Sequence, residues 1–239
     1  GYTSWDGLYI FPDLRDAAWS KYSVDVEAFR SFARREIRQL ASSPQELLDG
    51  GVQAEFRHCS APNNPTIQSS MQYHLDLNWT CNDQFWWLNP ACAEFGENWS
   101  TECLVVIEDD WGYTKDTFYE YLAVSEVPVA KLMVGYDPWW ELIYYKMYNM
   151  VFTWWRPAAG VQNQRGRRTN LPYDADMPPS ITLKVGYQAA MRADSRIDTF
   201  LSTISIHEDY VLELMTTISD AYDAGYEDGD YEDSFYQKI

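Results

Sequence analysis

A short apolar run that ends in three consecutive carboxylates constrains the fold of this chain most. The run Leu104–Ile107 predicts a strand, and Glu108, Asp109 and Asp110 follow it directly. An isolated acidic residue, Asp76, lies in the middle of another predicted strand. Carboxylates at the ends of neighbouring strands repel one another unless a cation binds them. The pattern therefore raises the hypothesis of a divalent-metal site.

The composition describes a globular chain with a large negative charge. Its 239 residues suffice for one domain with an appended subdomain, and 46% of them are hydrophobic. With 11 Trp, 18 Tyr and 10 Phe, we expect most rings in the core and some at interfaces. The formal net charge of -18 opposes indiscriminate binding to nucleic acid, so such a partner requires a local basic surface. No apolar run approaches the roughly 18 residues of a membrane span, which predicts a soluble protein.

Hydrophobic periodicity predicts a core with the element order αβββαβ. The first helix begins near Ser23 and carries apolar residues at helical spacing to Leu40, with Glu36 facing inward or along its buried edge. Strands are predicted at 52–58, 71–79 and 103–108, a helix at 114–125 and a fourth strand at 129–136. Within the strand 71–79, His74 and Asp76 lie on a polar face. This order favours a mixed central sheet flanked by helices, in the α+β or α/β class, with a C-terminal helical extension.

The remaining segments are predicted to extend this core. We expect an N-terminal extension at 1–22, with a short strand at 7–11, followed by the mixed-sheet core at 23–136. An extension at 137–222 is predicted to pack on the core, and an acidic tail at 223–239 is predicted to be mobile. The C-terminal extension is expected to contain a helix at 139–152, a strand at 181–187 and a long helix at 195–222.

The element order and the acidic residues resemble the PD-(D/E)XK nuclease-like superfamily over about residues 23–136. Asp76 lies in the second core strand, and Glu108-x-Asp110 ends the third in place of the usual Glu-x-Lys. Glu36 matches an acidic position that many members carry on the first helix. The resemblance implies that Asp76, Glu108 and Glu36 hold Mg2+. It also implies a cytoplasmic protein that hydrolyses phosphodiester bonds or is a degenerate, nucleic-acid-binding relative.

The same resemblance suggests roles for residues near the metal. Asp110 shares a strand face with Glu108 and would orient the attacking water or hold a second ion. Lys115 or Lys131 would replace the missing motif lysine. His74 would carry a proton, although a histidine on a polar strand face more often has only a structural role.

A basic loop near the middle of the second half gives a candidate phosphate-binding surface. Arg165, Arg167 and Arg168 are close in sequence, and guanidinium groups bind phosphate in a bidentate manner. Three arginines of the first predicted helix would add to this surface: Arg34, Arg35 and Arg38. The loop alternatively neutralises neighbouring carboxylates or docks against the acidic tail.

The four cysteines lie too far apart in sequence for a close Cys-x-x-Cys pair, so disulfides or free thiols are favoured over a zinc site. If Cys81 ends one strand and Cys103 begins its antiparallel neighbour, the two face each other. That arrangement leaves Cys59 to pair with Cys92.

These cysteines also favour a competing class, a non-enzymatic secreted or lumenal protein or an assembly subunit. Two glycosylation sequons, at Asn78 and Asn98, fall in the same region. The aromatic segments and the acidic tail suit a protein whose surfaces are buried by protein partners. A third hypothesis is carbohydrate binding through one ring of each adjacent Trp pair: Trp86-Trp87, Trp139-Trp140 and Trp154-Trp155.

Overall fold

The computed structural model describes most of the first two thirds of the chain. The described residues are 3–55, 65–109, 116–156, 167–168 and 180–181, together with Tyr210, Glu213 and Thr217. The chain divides into two compact units. The larger consists of Asp6–Trp154 and Gln164–Met177, and the smaller of Gly1–Trp5, Trp155–Asn163 and Pro178–Ile239. Residues 6–22, predicted as part of an N-terminal extension, thus belong to the larger unit.

Short helices and strands alternate along the described chain. The helices are α1 (Pro12–Tyr22), α2 (Arg35–Arg38), α3 (Pro44–Asp49), α4 (Pro65–Asp76), α5 (Pro90–Ala93), α6 (Trp99–Glu102), α7 (Asp116–Val124) and α8 (Tyr136–Tyr144), with 3-10 turns at Phe29–Ala33 and Gly96–Asn98. The strands are β1 (Thr3–Ile10), β2 (Thr80–Cys81), β3 (Trp87–Leu88), β4 (Leu104–Glu108), β5 (Val129–Met133), β6 (Val151–Arg156), β7 (Arg167–Arg168) and β8 (Ser180–Ile181). Within the described residues, each helix is too short or too polar to cross a bilayer.

The larger unit is built on a mixed sheet with the strand order β2-β3-β5-β4-β6-β1-β7. Strand β4 lies in the centre and pairs in parallel with β5 and β6. Antiparallel pairs join β2 to β3, β3 to β5 and β1 to β7. In the smaller unit, Thr3 and Ser4 pair with β8. The predicted mixed sheet flanked by helices is therefore confirmed.

Both faces of the central strands are covered. Every residue of β4 and β5 is buried, as expected for parallel strands between layers of helices. On one face, Val106 and Val129 belong to a core that includes residues of α1, α4 and α7. On the other face, Phe152 of β6 contacts the rings of Tyr9 and Trp154.

Several elements were predicted close to where the structure has them. The predicted strands at 103–108 and 129–136 correspond to β4 and β5, and the predicted helix at 114–125 corresponds to α7. The predicted strand at 7–11 falls largely within β1. Tyr210, Glu213 and Thr217 are helical, as predicted for 195–222, and the remainder of that segment and the tail lie outside the described residues.

The predicted elements differ from the structure in four segments, three of which belong to the core order αβββαβ. The segment 23–40 is not one helix, because Ser23 has a φ of 55° and ends α1 instead of beginning the next helix. Residues 52–55 form no strand. The predicted helix 139–152 is divided between α8 and β6.

The most consequential error concerns the predicted strand 71–79, which is mainly helix α4. Its residues satisfy two periods at once, since Ile67, Met71 and His74 also recur at the i, i+4, i+7 spacing of a helix. Pro65 at the first helical position suits the start of a helix, where no backbone N–H is needed. In the helix, His74 is buried and Asp76 is exposed, so the two do not share a face.

A disulfide joins Cys92 of α5 to Cys103, whose Cα atoms are 5.7 Å apart. Cys81 is disulfide-bonded as well, and Cys59 lies outside the described residues. The predicted pairs Cys81–Cys103 and Cys59–Cys92 are therefore wrong. Strands β3 and β5 lie between β2 and β4, which places Cys81 three strand spacings, about 14 Å, from the strand that Cys103 precedes.

A buried asparagine joins the segments on either side of this disulfide loop. The Nδ2 group of Asn89 donates to the carbonyl oxygens of Leu122 at 2.6 Å and Val127 at 2.9 Å. Its Oδ1 accepts from the backbone N–H groups of Cys92 and Val129, each at 2.9 Å. The side chain thus caps α5 and holds it to the end of α7 and the start of β5.

Replacing Asn89 by Ala should therefore destabilise the protein strongly. Loss of the amide removes four buried hydrogen bonds to backbone groups, so we expect the free energy of unfolding to fall by about 3 kcal/mol. Urea denaturation followed by circular dichroism measures the change. The control is Asn98→Ala at an exposed position, where we expect less than about 0.5 kcal/mol. Equal stabilities of the two variants would contradict the role assigned to Asn89.

Candidate functional site

Four polar side chains meet inside the larger unit, and we call them the buried polar cluster: His74, Glu108, Tyr119 and Lys131. They come from four different elements, α4, β4, α7 and β5. His74, Glu108 and Lys131 are 0% exposed and Tyr119 is 1% exposed. Charged residues are rarely buried to this extent unless they are paired. The cluster is therefore the candidate site that the fold itself identifies.

The parallel pairing of the two central strands brings the charged members together. In this register Val106 lies opposite Lys131, and Glu108 lies opposite Met133. Because side chains alternate along a strand, Lys131 and Glu108 point to the same face of the sheet. Helices α4 and α7 contribute His74 and Tyr119 to the same cluster.

The contacts of the cluster centre on one carboxylate oxygen and one ammonium group. The Nζ of Lys131 lies 3.4 Å from Oε2 of Glu108, and the hydroxyl of Tyr119 donates to the same oxygen at 3.1 Å. The ammonium also hydrogen-bonds to Nε2 of His74. It lies 3.7 Å from the ring centroid of Tyr119 and 5.6 Å from that of Trp79, within cation–π range.

The electrostatics of the cluster follow from its burial. Burial lowers the pKa of Lys131 from its usual 10.5 to about 8, while the charge and the hydrogen bond of Glu108 oppose this shift. Lys131 is thus mainly charged at neutral pH and balances the carboxylate of Glu108. The second carboxylate oxygen, Oε1, is buried and has no hydrogen-bond partner among the described residues. All four side chains of the cluster are shielded from solvent.

The structure does not bring the predicted metal ligands together. Asp76 is the last residue of α4, and its exposed carboxylate accepts a hydrogen bond from Gln72 at 2.8 Å. Glu36 lies on α2 and forms an ion pair with Arg34 at 2.6 Å, instead of pointing inward. The pKa of the Glu36 carboxyl is lowered mainly by a hydrogen bond from its own backbone N–H, and to a smaller extent by the hydrogen bond from Arg34.

Glu108 is the one predicted ligand that remains buried at the end of a central strand, and a lysine serves as its counter-ion. The ammonium of Lys131 takes the place beside the carboxylate that a bound cation would need. Across the described ranges, no group of three His, Cys, Asp or Glu side chains is arranged to hold a metal ion. Asp76, Glu108 and Glu36 are therefore not grouped around one ion in the described part of the chain, and Mg2+ binding stays a prediction. Asp110 and Lys115 lie outside the described residues.

The basic surface predicted for phosphate is described only in part. Arg167 and Arg168 form β7 and pair with Ile10 and Tyr9 of β1, and Arg165 lies outside the described residues. The arginines expected to add to this surface have internal partners. Arg35 binds Glu102 at 2.6 Å, and buried Arg38 donates to the carbonyl of Glu102 at 2.9 Å. Phosphate binding by Arg165, Arg167 and Arg168 stays a prediction.

Sequence reasoning found some members of the cluster and missed how they combine. Lys131 was considered only as a replacement for a motif lysine, although a lysine within the apolar strand Val129–Met133 already signals a buried charge. No sequence pattern pointed to Tyr119 as a site residue, because its hydrogen bond to Glu108 forms only when α7 packs on the sheet. His74 was placed next to Asp76 on a strand face, whereas the helix turns it into the core.

A second feature is a stack of aromatic rings that runs from the core to the surface along α8 and β6. Buried Trp139 and Trp154 stack with ring centroids 4.4 Å apart. Trp140 lies 5.5 Å from Trp154 and stacks on Tyr144 at 6.0 Å. Tyr144 contacts the ring of Tyr145, which is 68% exposed. The stack thus ends in exposed aromatic surface.

Comparisons with known proteins leave the resemblance to the nuclease-like superfamily as a prediction from sequence. No family model matches the chain, and no curated protein or solved structure matches it with significance. The structure differs from what the resemblance implies at one motif position. Asp76 ends a helix, whereas the resemblance requires a core strand at that point.

Replacing Lys131 by Met should test the ion pair. The variant leaves the buried carboxylate of Glu108 without its counter-ion, so we expect the free energy of unfolding to fall by about 3–5 kcal/mol. The double variant Glu108→Gln/Lys131→Met removes both charges and should be more stable than the single variant. Urea denaturation measures both. A single variant as stable as the double would show that the unpaired carboxylate of Glu108 costs no stability.

The lowered pKa of Lys131 predicts a stability that increases at alkaline pH. Between about pH 8 and 10.5 the unfolded chain keeps the lysine proton while the folded protein has lost it. The unfolded state then binds more protons, so the free energy of unfolding rises with pH across this window. The free energies of unfolding of the wild type and of Glu108→Gln/Lys131→Met, measured by urea denaturation across this window, should diverge as the pH rises. Parallel curves would contradict the shifted pKa.

Proposed function

We propose that the protein is a disulfide-bonded binding protein of a secreted or lumenal compartment. One observation carries this proposal: Cys92 and Cys103 are bonded to each other, and Cys81 is in a disulfide too. Disulfides persist in oxidising compartments and are rare in the cytosol. The exposed positions of the two sequon asparagines, Asn78 and Asn98, also suit a secreted protein.

The buried polar cluster supports a structural use of the residues that were candidates for catalysis. A metal-dependent hydrolase must expose its carboxylates to water and substrate. Glu108 and Lys131 are fully buried instead and form an ion pair, and Tyr119 and His74 each hydrogen-bond to one of them. Asp76 is exposed on a helix end and is occupied by a local hydrogen bond. This arrangement favours a structural role for these residues over a catalytic one.

The aromatic stack supports a binding role. Aromatic residues are enriched at interfaces, where their rings supply a large contact area. Tyr136 is 50% exposed, Tyr145 is 68% exposed and Met147 is 55% exposed, and all three lie within twelve residues of one another around α8. An exposed concentration of this kind suits contact with another macromolecule.

The nuclease-like function is the second candidate, and one contact favours it. The Glu-x-Asp motif has no lysine of its own, but Lys131 of the neighbouring strand β5 lies beside Glu108. Asp110, Lys115 and the basic loop would complete such a site. Its Mg2+-dependent activity stays a prediction that a cleavage assay tests.

The proposal predicts the oxidation state of the protein isolated from its native source. All four cysteines should be disulfide-bonded, so reduction should add four hydrogen atoms to the intact mass. Mass spectrometry under non-reducing and reducing conditions measures this. The variant Cys92→Ala/Cys103→Ala should still contain one disulfide but lose about 3 kcal/mol of stability, as the closure of a loop of this length predicts.

Two results would overturn the proposal. The first is a native protein with four free thiols, which would indicate a reducing compartment. The second is cleavage of DNA or RNA that requires Mg2+ and is lost in Asp110→Asn. Asp110 is the better test residue, because replacing the buried Glu108 would disturb the fold as well as any activity.

A further inference from the structure

Helix α8 carries two neighbouring ridges of side chains, and together they form what we call the α8 face. Residues four apart lie above one another on a helix. The aromatic ridge consists of Tyr136, Trp140 and Tyr144. The largely acidic ridge consists of Asp137, Glu141 and Tyr145. The buried residues of the helix, Trp139, Leu142 and Ile143, adjoin the aromatic ridge, and the acidic ridge lies farther from them.

The aromatic ridge is held in place by the core beneath it. Trp140 packs against Trp154 at 5.5 Å and stacks on Tyr144 with an interplanar angle of 18°. Tyr145 meets Tyr144 edge-on at 5.1 Å. Rings fixed in this way lose little conformational entropy when a partner binds. The exposed part of the stack is therefore ready for contact.

The acidic ridge is not explained by the stability of the helix. Asp137 and Glu141 are both exposed, and like charges four residues apart destabilise a helix by a few tenths of a kcal/mol. The N-terminal position of Asp137 offsets this cost through the helix dipole, whereas Glu141 has no such benefit. Neither carboxylate forms an ion pair with any described residue. Lys146, just beyond the helix, is the nearest basic residue in sequence.

We propose that the α8 face docks an arginine-bearing segment of a basic protein partner. An arginine stacks flat on Trp or Tyr while its guanidinium donates to a carboxylate, and the two ridges offer both groups side by side. The net charge of -18 attracts such a partner and repels a second copy of this chain. The inference rests on the proposed binding function and specifies the class of partner.

A labelled arginine-rich peptide, and the same peptide with lysine in every arginine position, serve as probes. Fluorescence anisotropy at physiological salt measures their binding to the oxidised protein, because salt screens the unspecific attraction. Asp137→Asn/Glu141→Gln should bind the arginine peptide about tenfold more weakly than the wild type. The control Glu94→Gln/Glu97→Gln removes the same charge at exposed positions elsewhere and should change binding less than about twofold.

The preference for arginine tests the aromatic ridge separately. The wild type should bind the arginine peptide several-fold more tightly than the lysine peptide, and Tyr136→Ser/Tyr145→Ser should lose this preference. Because both tyrosines are at least half exposed, circular dichroism of the variant should be unchanged.

Three results would each overturn the inference. They are equal weakening of binding by the two charge variants, equal binding of the two peptides by the wild type, and no binding of either peptide. The disulfide state measured by mass is independent of these results, so the proposed function fails or stands separately.

Discussion

The ion pair between Glu108 and Lys131 is the interaction on which the rest of the larger unit depends. Burying two charges is costly, and their attraction offsets the cost only when the geometry is good and the remaining groups are hydrogen-bonded. The parallel register of β4 and β5 brings the two charges together, and α7 and α4 add the hydrogen bonds of Tyr119 and His74. A shift of one residue in either strand would turn one charge to the opposite face of the sheet.

A second set of constraints acts at the edge of the sheet. Asn89 satisfies four backbone groups of α5, α7 and β5, and the Cys92–Cys103 disulfide closes the loop that leads into β4. Both constraints fix the segment before the strand that carries Glu108. The disulfide and the burial of the charged residues therefore both support the proposal of a disulfide-bonded binding protein.

Sequence reasoning was most successful where one pattern excluded the others. The apolar run of β4 and the helical period of α7 have a single interpretation, and both elements were predicted within a few residues. The segment 71–79 satisfies both a strand and a helix period, so only its packing decides between them. That single error moved Asp76 into the predicted site. The structure instead leaves it exposed at a helix end.

The sequence by itself indicated that Glu108 ends an apolar strand and that the carboxylates at this point need a positive partner. Only the tertiary structure decided that this partner is Lys131 and that Cys92 bonds to Cys103. Hydrophobic periodicity is a local property, whereas a counter-ion and a disulfide partner depend on the strand order β2-β3-β5-β4. Residues far apart in sequence become neighbours only through that order, which no local pattern encodes.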